Sequence, residues 1–361
     1  MDMTLNLYID YLICSTSYTT ATGLSRLTDK AISHDKVTKF LSSKNYTSAD
    51  LWKIAKPIYE SIKLDNSVLI IDDSIEEKPY TDENELMAWH FNHAKGRAVK
   101  GINFITSLYE NEKGSLPIGF NLIKKTLTIK NAKTGKIQRK SEVSKQQYYR
   151  NLIQSAIENT TEFKYILNDI WFASAENMNF IKAINKNFIM PIKSNRKVAL
   201  SDADKALGIF VGIDSVKPGE NILVRIRGVD FPLRFVRQVF KNEDDSTGIL
   251  YLVSSDIELT NEQITAIYKR RWKVETYHQS LKNNASLAKS PTKIPKTQAN
   301  HFFASLCAYI RLQSISMLTK YNHFALKTKI YIEALKKAML ELQNLKTSKM
   351  LQTDNCVYRL A

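Results

Sequence analysis

The period of the apolar positions changes along the chain, and the changes divide it. Up to about residue 64, Leu24, Leu27, Ile32, Val37, Phe40 and Leu41 recur at an imperfect helical spacing, and Thr47-Ser48-Ala49-Asp50 offers a further helix start. Val68 to Ile71 is instead a continuous β-branched and apolar run, the pattern of a strand buried on both faces. It ends in Asp72-Asp73-Ser74. Two carboxylates at the end of a central strand are costly unless they meet a cation or another partner. A polar loop is expected from there to about residue 100. Residues 101–110 and 116–125 then read as a strand pair turning at 111–114.

Residues 145–159 have a helical pattern. Tyr165 to Leu167 is a second buried strand, ending in Asp169, with Trp171 and Phe172 just beyond. Residues 175–186 predict a helix, and 187–197 a strand ending in Lys193 and Arg196. This strand–helix–strand spacing predicts neighbouring parallel strands. Residues 198–257 change character, with short alternating or apolar runs broken by Gly, Asp and Asn, as in a small antiparallel sheet. A helix is predicted over 260–283, opened by Thr260 and Gln263 as a capping box. At about 100° per residue Tyr268, Arg271, Glu275 and Lys282 fall within roughly a 60° arc, while Ile267, Val274 and Leu281, with Tyr277 nearby, form an apolar flank. After a Pro-containing loop comes a buried helix from His301, and from about 326 a basic amphipathic one.

These breaks predict a helical N-terminal region over 1–64, a mixed α/β core over 65–197 and 258–325, a β-rich insertion over 198–257, and a basic helical C-terminal region over 326–361. The N-terminal region reads equally as a DNA-binding head and as a helical pad on the core.

Charge narrows the function. Lys and Arg number 52 against 36 Asp and Glu, a net +16, which favours a polyanionic partner such as nucleic acid. Residues 121–150 carry nine Lys or Arg and one acid, Glu142, and read as a phosphate-contacting surface. Cys14, Cys307 and Cys356 are far apart, which speaks against a disulfide framework or zinc site and fits a reducing cytosol. The N-terminus lacks signal-peptide character, and no uninterrupted apolar stretch has the length of a membrane span, so no membrane association is expected.

The remaining signal is chemical. Asp73 ends one strand, Asp169 ends another and Glu275 projects from a helix. Three such carboxylates on an α/β scaffold can hold two divalent metals about 4 Å apart for in-line phosphoryl displacement. Mg²⁺ suits oxygen ligands of this kind, with Mn²⁺ as a substitute. On the Glu275 helix, Arg271 can fork onto a phosphate, Lys282 can supply a point charge and Tyr268 a hydrogen bond. Lys95, Arg97, Lys100, Lys193 and Arg196 are further candidates for DNA phosphate contacts. Asp72 reads as a hydrogen-bond acceptor supporting the ligands. His90 and His93 read as loop or DNA-contact residues, His278 as structural or facing DNA, and Trp171 as core packing.

These motifs resemble the DDE transposases of bacterial insertion sequences. The resembling group is the insertion-sequence-four superfamily, whose signature is Tyr, two residues, Arg, three residues, Glu, six residues, Lys. Tyr268, Arg271, Glu275 and Lys282 match it at all four positions. Ile70-Ile71-Asp72-Asp73-Ser74 is similar to the family's first-Asp motif, with Ser for Thr, and that match places the ligand at Asp73 rather than Asp72. Ile166-Leu167-Asn168-Asp169-Ile170-Trp171-Phe172 is similar to the second. The resemblance spans roughly 65–320. It implies an RNase H-like core interrupted by the β-rich insertion and cut-and-paste transposition of double-stranded DNA, both transposon ends and target. It also implies a homodimer on paired ends, working in the bacterial cytosol and at the nucleoid when bound to DNA. Trp272 matches an aromatic that stacks a flipped base at the hairpin stage of this group, and Phe231 or Phe235 is the candidate for a second such aromatic in the insertion. The alternatives are an RNase H-like nuclease without strand transfer and an inactive, transposase-derived DNA-binding protein.

Overall fold

The structure, a computed structural model, describes residues 2–93, 95–130, 135–241 and 245–347. Cys356, Lys133 within the basic stretch, and the last residues of the expected C-terminal region lie outside them.

Helices α1 (Leu5–Cys14), α2 (Ala21–Leu27), α3 (His34–Ser43) and α4 (Ser48–Ile62) build the N-terminal region. Each is opened by a hydroxyl that accepts a backbone N–H three residues on: Thr4, Thr20, Ser33 and Thr47. Such caps satisfy donors the first turn would otherwise leave unpaired. The apolar faces join the main core, where Tyr8 reaches the ring of buried His301 (Oη to Nδ1, 3.1 Å). These helices therefore pack on the core, with Lys30, Lys36, Lys39 and Lys44 on the outside.

The sheet begins with β1 (Val68–Glu77). It runs past the aspartates instead of ending at them. The segment expected as a loop supplies β2 (Met87–Asn92) and the start of β3 (Arg97–Asn111), which turns tightly into β4 (Gly114–Leu122). β3 is long enough to pair with β1 on one edge and with β2 and then β4 on the other. The basic stretch folds as a separate hairpin of β5 (Leu127–Lys130) and β6 (Ile137–Lys140), followed by α5 (Lys145–Glu158). Next come β7 (Tyr165–Asn168), α6 (Ala175–Ala183) and β8 (Asn187–Ile192); β7 and β8 are parallel neighbours as expected, and β1 lies parallel on the other side of β7.

The ladder explains why carboxylates surface at one place. β7 pairs with β1 only as far as Asn168 opposite Ile71, whereas β3 accompanies β1 to Glu77. Asp72 and Asp73 sit just past the point where the parallel partner ends, and Asp169 is the first residue beyond that partner. In open α/β sheets this is the edge where ligands bind.

The insertion consists of β9 (Lys197–Ala199), α7 (Asp202–Leu207), β10 (Val211–Gly212), β11 (Leu223–Ile226), β12 (Leu233–Lys241) and β13 (Thr247–Ser254). Its strands are antiparallel, as the pattern predicts, but they do not form a sheet of their own. β13 pairs with β8, so within the described residues eleven strands join one mixed sheet: β10-β9-β11-β12-β13-β8-β7-β1-β3-β2, with β4 along the rest of β3. The fold is mixed α/β with an RNase H-like core and helices at both ends.

The helix expected over 260–283 is two helices, α8 (Asn261–Lys269) and α9 (Lys273–Asn283), joined by a tighter turn at Arg270–Trp272. The Thr260–Gln263 capping box forms. Val274, Tyr277 and Leu281 are buried, as the apolar flank requires. Behind them lies α10 (Pro295–Thr319), long and apolar enough to cross a membrane but largely buried here as a core helix. α11 (His323–Thr347) follows, and its Lys327 donates to the carbonyls of Asn283 and Asn284 at the end of α9.

Arg270, in the turn, locks the α8–α9 unit to the sheet. Its Nε and Nη2 donate to the carboxylate and backbone carbonyl of buried Glu110 (2.6 and 2.7 Å), and Nη1 donates to the carbonyl of Asn66 (2.8 Å). One residue thus joins the end of β3, the approach to β1 and the Glu275 helix. Arg270→Met would leave Glu110 buried and unpaired, and the expected loss is about 3 kcal/mol in denaturant unfolding. A loss no larger than that of a typical surface substitution, below about 0.5 kcal/mol, would show that the pair does not hold the unit in place.

Candidate active site

A cleft of about 450 Å³ opens at the sheet edge, lined by Asp72, Asp73, Asp169, Glu275, Arg271, His278 and Lys282 among others. The two strands and α9 therefore bring Asp73, Asp169 and Glu275 to one place. Each carboxylate is held differently. Asp73 accepts from Lys145 Nζ at 2.6 Å, and Lys145 is the first residue of α5. Asp169 caps the short turn at Ile170–Phe172, accepting the backbone N–H of Trp171 at 2.9 Å. Glu275 is half-exposed and lies 3.7 Å from Arg271, whose Nη1 is also 3.5 Å from Asp72. Asp72 is turned inward, and its Oδ1 takes the backbone N–H of Asp73 at 2.9 Å.

Burial and then the neighbouring Asp169 and Asp73 push the Asp72 carboxyl well above the usual carboxylate range, against the pull of Arg271. Burial and then Asp73 raise Asp169, against the pull of the Trp171 N–H. This is the electrostatics of like charges crowded in a poorly solvated cleft. The donors are carboxylate oxygens, which suit a hard divalent cation. Among the described residues no three Asp, Glu, His or Cys side chains are already gathered closely enough to grip an ion. At Asp73 the positive charge is supplied by Lys145.

The signature residues divide in two. Arg271, Glu275 and Lys282 face the cleft. Lys282 Nζ also donates to Ser74 Oγ (3.1 Å) and the Ile75 carbonyl (3.0 Å), tying α9 to β1. Tyr268 is buried under the Arg271 guanidinium, and its hydroxyl donates to the carbonyl of Asn168 at 3.3 Å. Tyr268 and Trp272 line a second hollow of about 990 Å³ between α8, α9 and the β12–β13 hairpin. Trp272 is 67% exposed there.

Other expected residues lie away from the carboxylates. Lys95 pairs with Glu77 at 2.7 Å, Lys100 lies over the Trp89 ring, and Arg97 is exposed at the start of β3. Lys193 and Arg196 line a separate cavity with Trp171. Phe235 is buried and Phe231 packs against the core, so neither is free to stack on a ligand. Phe240, which no sequence motif marks, is 43% exposed and lines the Trp272 hollow. Its place near the end of a strand among polar residues is the only cue the sequence carries. Lys145 was counted only within the basic stretch. Trp171, expected in the core, is 45% exposed, because Asp169 ends the strand and turns the chain outward. His90 lies buried in β2 rather than in a loop.

The fold is thus a mixed sheet that gathers acidic residues at one edge. Residues 2–206 match the family described as DDE superfamily endonuclease, and residues 136–311 match the transposase DDE domain. The first match spans more than half of the chain, which belongs to the DDE superfamily of endonucleases. Members of this class are DNA-acting enzymes that use divalent metals. No curated protein matches the chain.

Burial lowers the imidazole pKa of His90 and His278 from 6.5 to about 3, with nearby Lys125 and Lys145 adding for His90 and Lys282 and Arg271 for His278. His301 and His323 fall to about 4, chiefly through burial. All four take up protons more readily when unfolded. Their contribution to stability is therefore fully present above pH 6.5 and is lost as pH falls toward 4, while the raised carboxyls of Asp72 and Asp169 act in the opposite direction. Each histidine contributes up to about 1.4 kcal/mol per pH unit in that window. Unfolding followed from pH 7 to 4 should show His278→Asn losing less stability than the wild type over that window. An unchanged slope in that variant would place a charged imidazole in the fold.

Proposed function

We propose that this protein is a transposase of the Tyr-Arg-Glu-Lys signature group, catalysing cut-and-paste transposition of an insertion sequence. The observation that carries the reading is the cleft that places Asp73, Asp169 and Glu275 beside Arg271 and Lys282. In this reading Asp73, Asp169 and Glu275 are the metal ligands. Two Mg²⁺ ions held by them would activate the attacking oxygen and stabilise the leaving one.

The chain's own groups do the rest. Arg271, kept in the cleft by Asp72, Glu275 and the Tyr268 ring, offers its fork to the scissile phosphate. Lys282 adds a point charge opposite the first-Asp strand. Lys145 holds Asp73 in place and neutralises it. Asp72, kept inward, orients Arg271 and the Asp73 backbone. Water opens the phosphodiester at the transposon end and leaves a 3′-hydroxyl. That hydroxyl then attacks a second phosphodiester, forming a new ester and displacing its 3′-oxygen. Trp272 and Phe240 flank a hollow in which a base can stack at the hairpin stage. The insertion over 198–257 and the 121–150 surface flank the DNA, with Lys95, Arg97, Lys100, Lys193 and Arg196 as outlying phosphate contacts. The reading includes a homodimer on paired ends and a place in the bacterial cytosol.

Asp73→Asn, Asp169→Asn and Glu275→Gln should each lower end-nicking by roughly 10²- to 10³-fold or more with Mg²⁺ present, while duplex DNA binding stays near wild type. The assay is gel analysis of a labelled duplex carrying the sequence that flanks the gene. Near-wild-type nicking in any one of the three would remove that residue from the site. Nicking without joined products on a labelled end fragment would reduce the activity to a nuclease.

A further inference from the structure

Outside the carboxylate cleft, a group of exposed aromatic rings lies beside Asp169. Trp89 and Phe91 are two apart on β2 and so share its outer face, where they are 52% and 55% exposed. The Phe91 ring meets His93 edge-on (4.9 Å between centroids), and His93 in turn lies 5.0 Å from Trp171. Trp171 is fixed from both sides of its backbone: its N–H is held by Asp169 and its carbonyl by Gln146 Nε2 at 2.9 Å. Phe91, His93 and Trp171 thus form one chain of ring contacts, with Trp89 on the same strand face as Phe91, and this solvent-facing run ends two residues from a candidate ligand. Clusters of large exposed apolar groups are uncommon on a monomer's surface and mark contact sites.

Cations accompany the run. Lys100 Nζ sits 5.9 Å from the Trp89 ring centre. Trp171 lines a cavity of about 220 Å³ together with Lys193 and Arg196. Rings flanked by cations suit a ligand that alternates flat apolar faces with negative charges. A single DNA strand has that chemistry, whereas a paired duplex keeps its base faces stacked inside.

We propose that the Trp89–Phe91–His93–Trp171 run is a stacking site for unpaired nucleotides of the strand that leaves the carboxylate cleft on the Asp169 side, with Lys193 and Arg196 holding the phosphate next to Trp171. The inference rests on the DNA-cutting reading above. It is separate from the Trp272 hollow, which lies against the insertion hairpin.

The test is equilibrium binding of three fluorescent DNAs in metal-free buffer at fixed salt: a duplex, the same duplex with a single-stranded tail, and the tail strand alone. The wild type is expected to bind the tailed duplex more tightly than the blunt one. Trp171→Ala and Phe91→Ala should each weaken the tailed and single-stranded forms by about tenfold, the loss of one base stack, and leave the blunt duplex within about twofold. Trp171→Phe should restore most of the loss, and circular dichroism should show all variants folded. Equal affinity of the wild type for blunt and tailed DNA would overturn the stacking site while leaving the cleavage reading intact. Equal losses on all three DNAs would also overturn it. So would a change in oligomeric state of the alanine variants without a change in DNA binding, since the rings would then be a contact between copies. Failure of the wild type to bind any of the three would overturn both readings.

Discussion

Charge crowding at the sheet edge is the constraint the rest of the molecule answers to. Asp72, Asp73, Asp169 and Glu275 line one cleft, and Asp72 and Asp169 are driven toward their neutral forms by burial and by neighbouring aspartates. Isolated charges of one sign in such a place cost several kcal/mol unless cations meet them. The cations arrive from separate elements. Lys145 comes from the start of α5, Arg271 from the turn before α9 and Lys282 from its end. Three parts of the chain are thereby drawn to the first-Asp strand, and the geometry of the cleft follows from their placement.

The Glu275 helix shows how that placement is enforced. Arg270 fixes its beginning to Glu110 and Asn66, Lys282 ties its last turns to β1, and Lys327 satisfies its final carbonyls from α11. A packed flank of Val274, Tyr277 and Leu281 fills the space between. Glu275 itself is left half-exposed and reachable.

Much of this was legible in the sequence because it follows from local period. The buried runs ending at Asp73 and Asp169, the capping box at Thr260 and the apolar flank of α9 are all one-dimensional patterns. What was hidden depends on pairing between distant segments. β1 continues past its aspartates because β3 lies beside it, a register no local pattern encodes. β2 was lost in a polar stretch because only alternate residues of a half-exposed strand need be apolar. Trp171 was assigned to the core by residue type, but the turn capped by Asp169 points it outward. Lys145, one of nine cationic residues in its stretch, is singled out only by its distance to Asp73.

The pairing of β13 with β8 has a further consequence for the insertion. Strand Asn187–Ile192 carries a buried apolar side-chain set, and β13 covers its outer edge. Excising residues 198–257 to recover a minimal core would strip that cover and leave a row of unpaired amides on a hydrophobic strand. Such a strand recruits other copies edge to edge. The shortened protein would aggregate rather than reduce to a smaller enzyme, so the insertion is a guard against self-association.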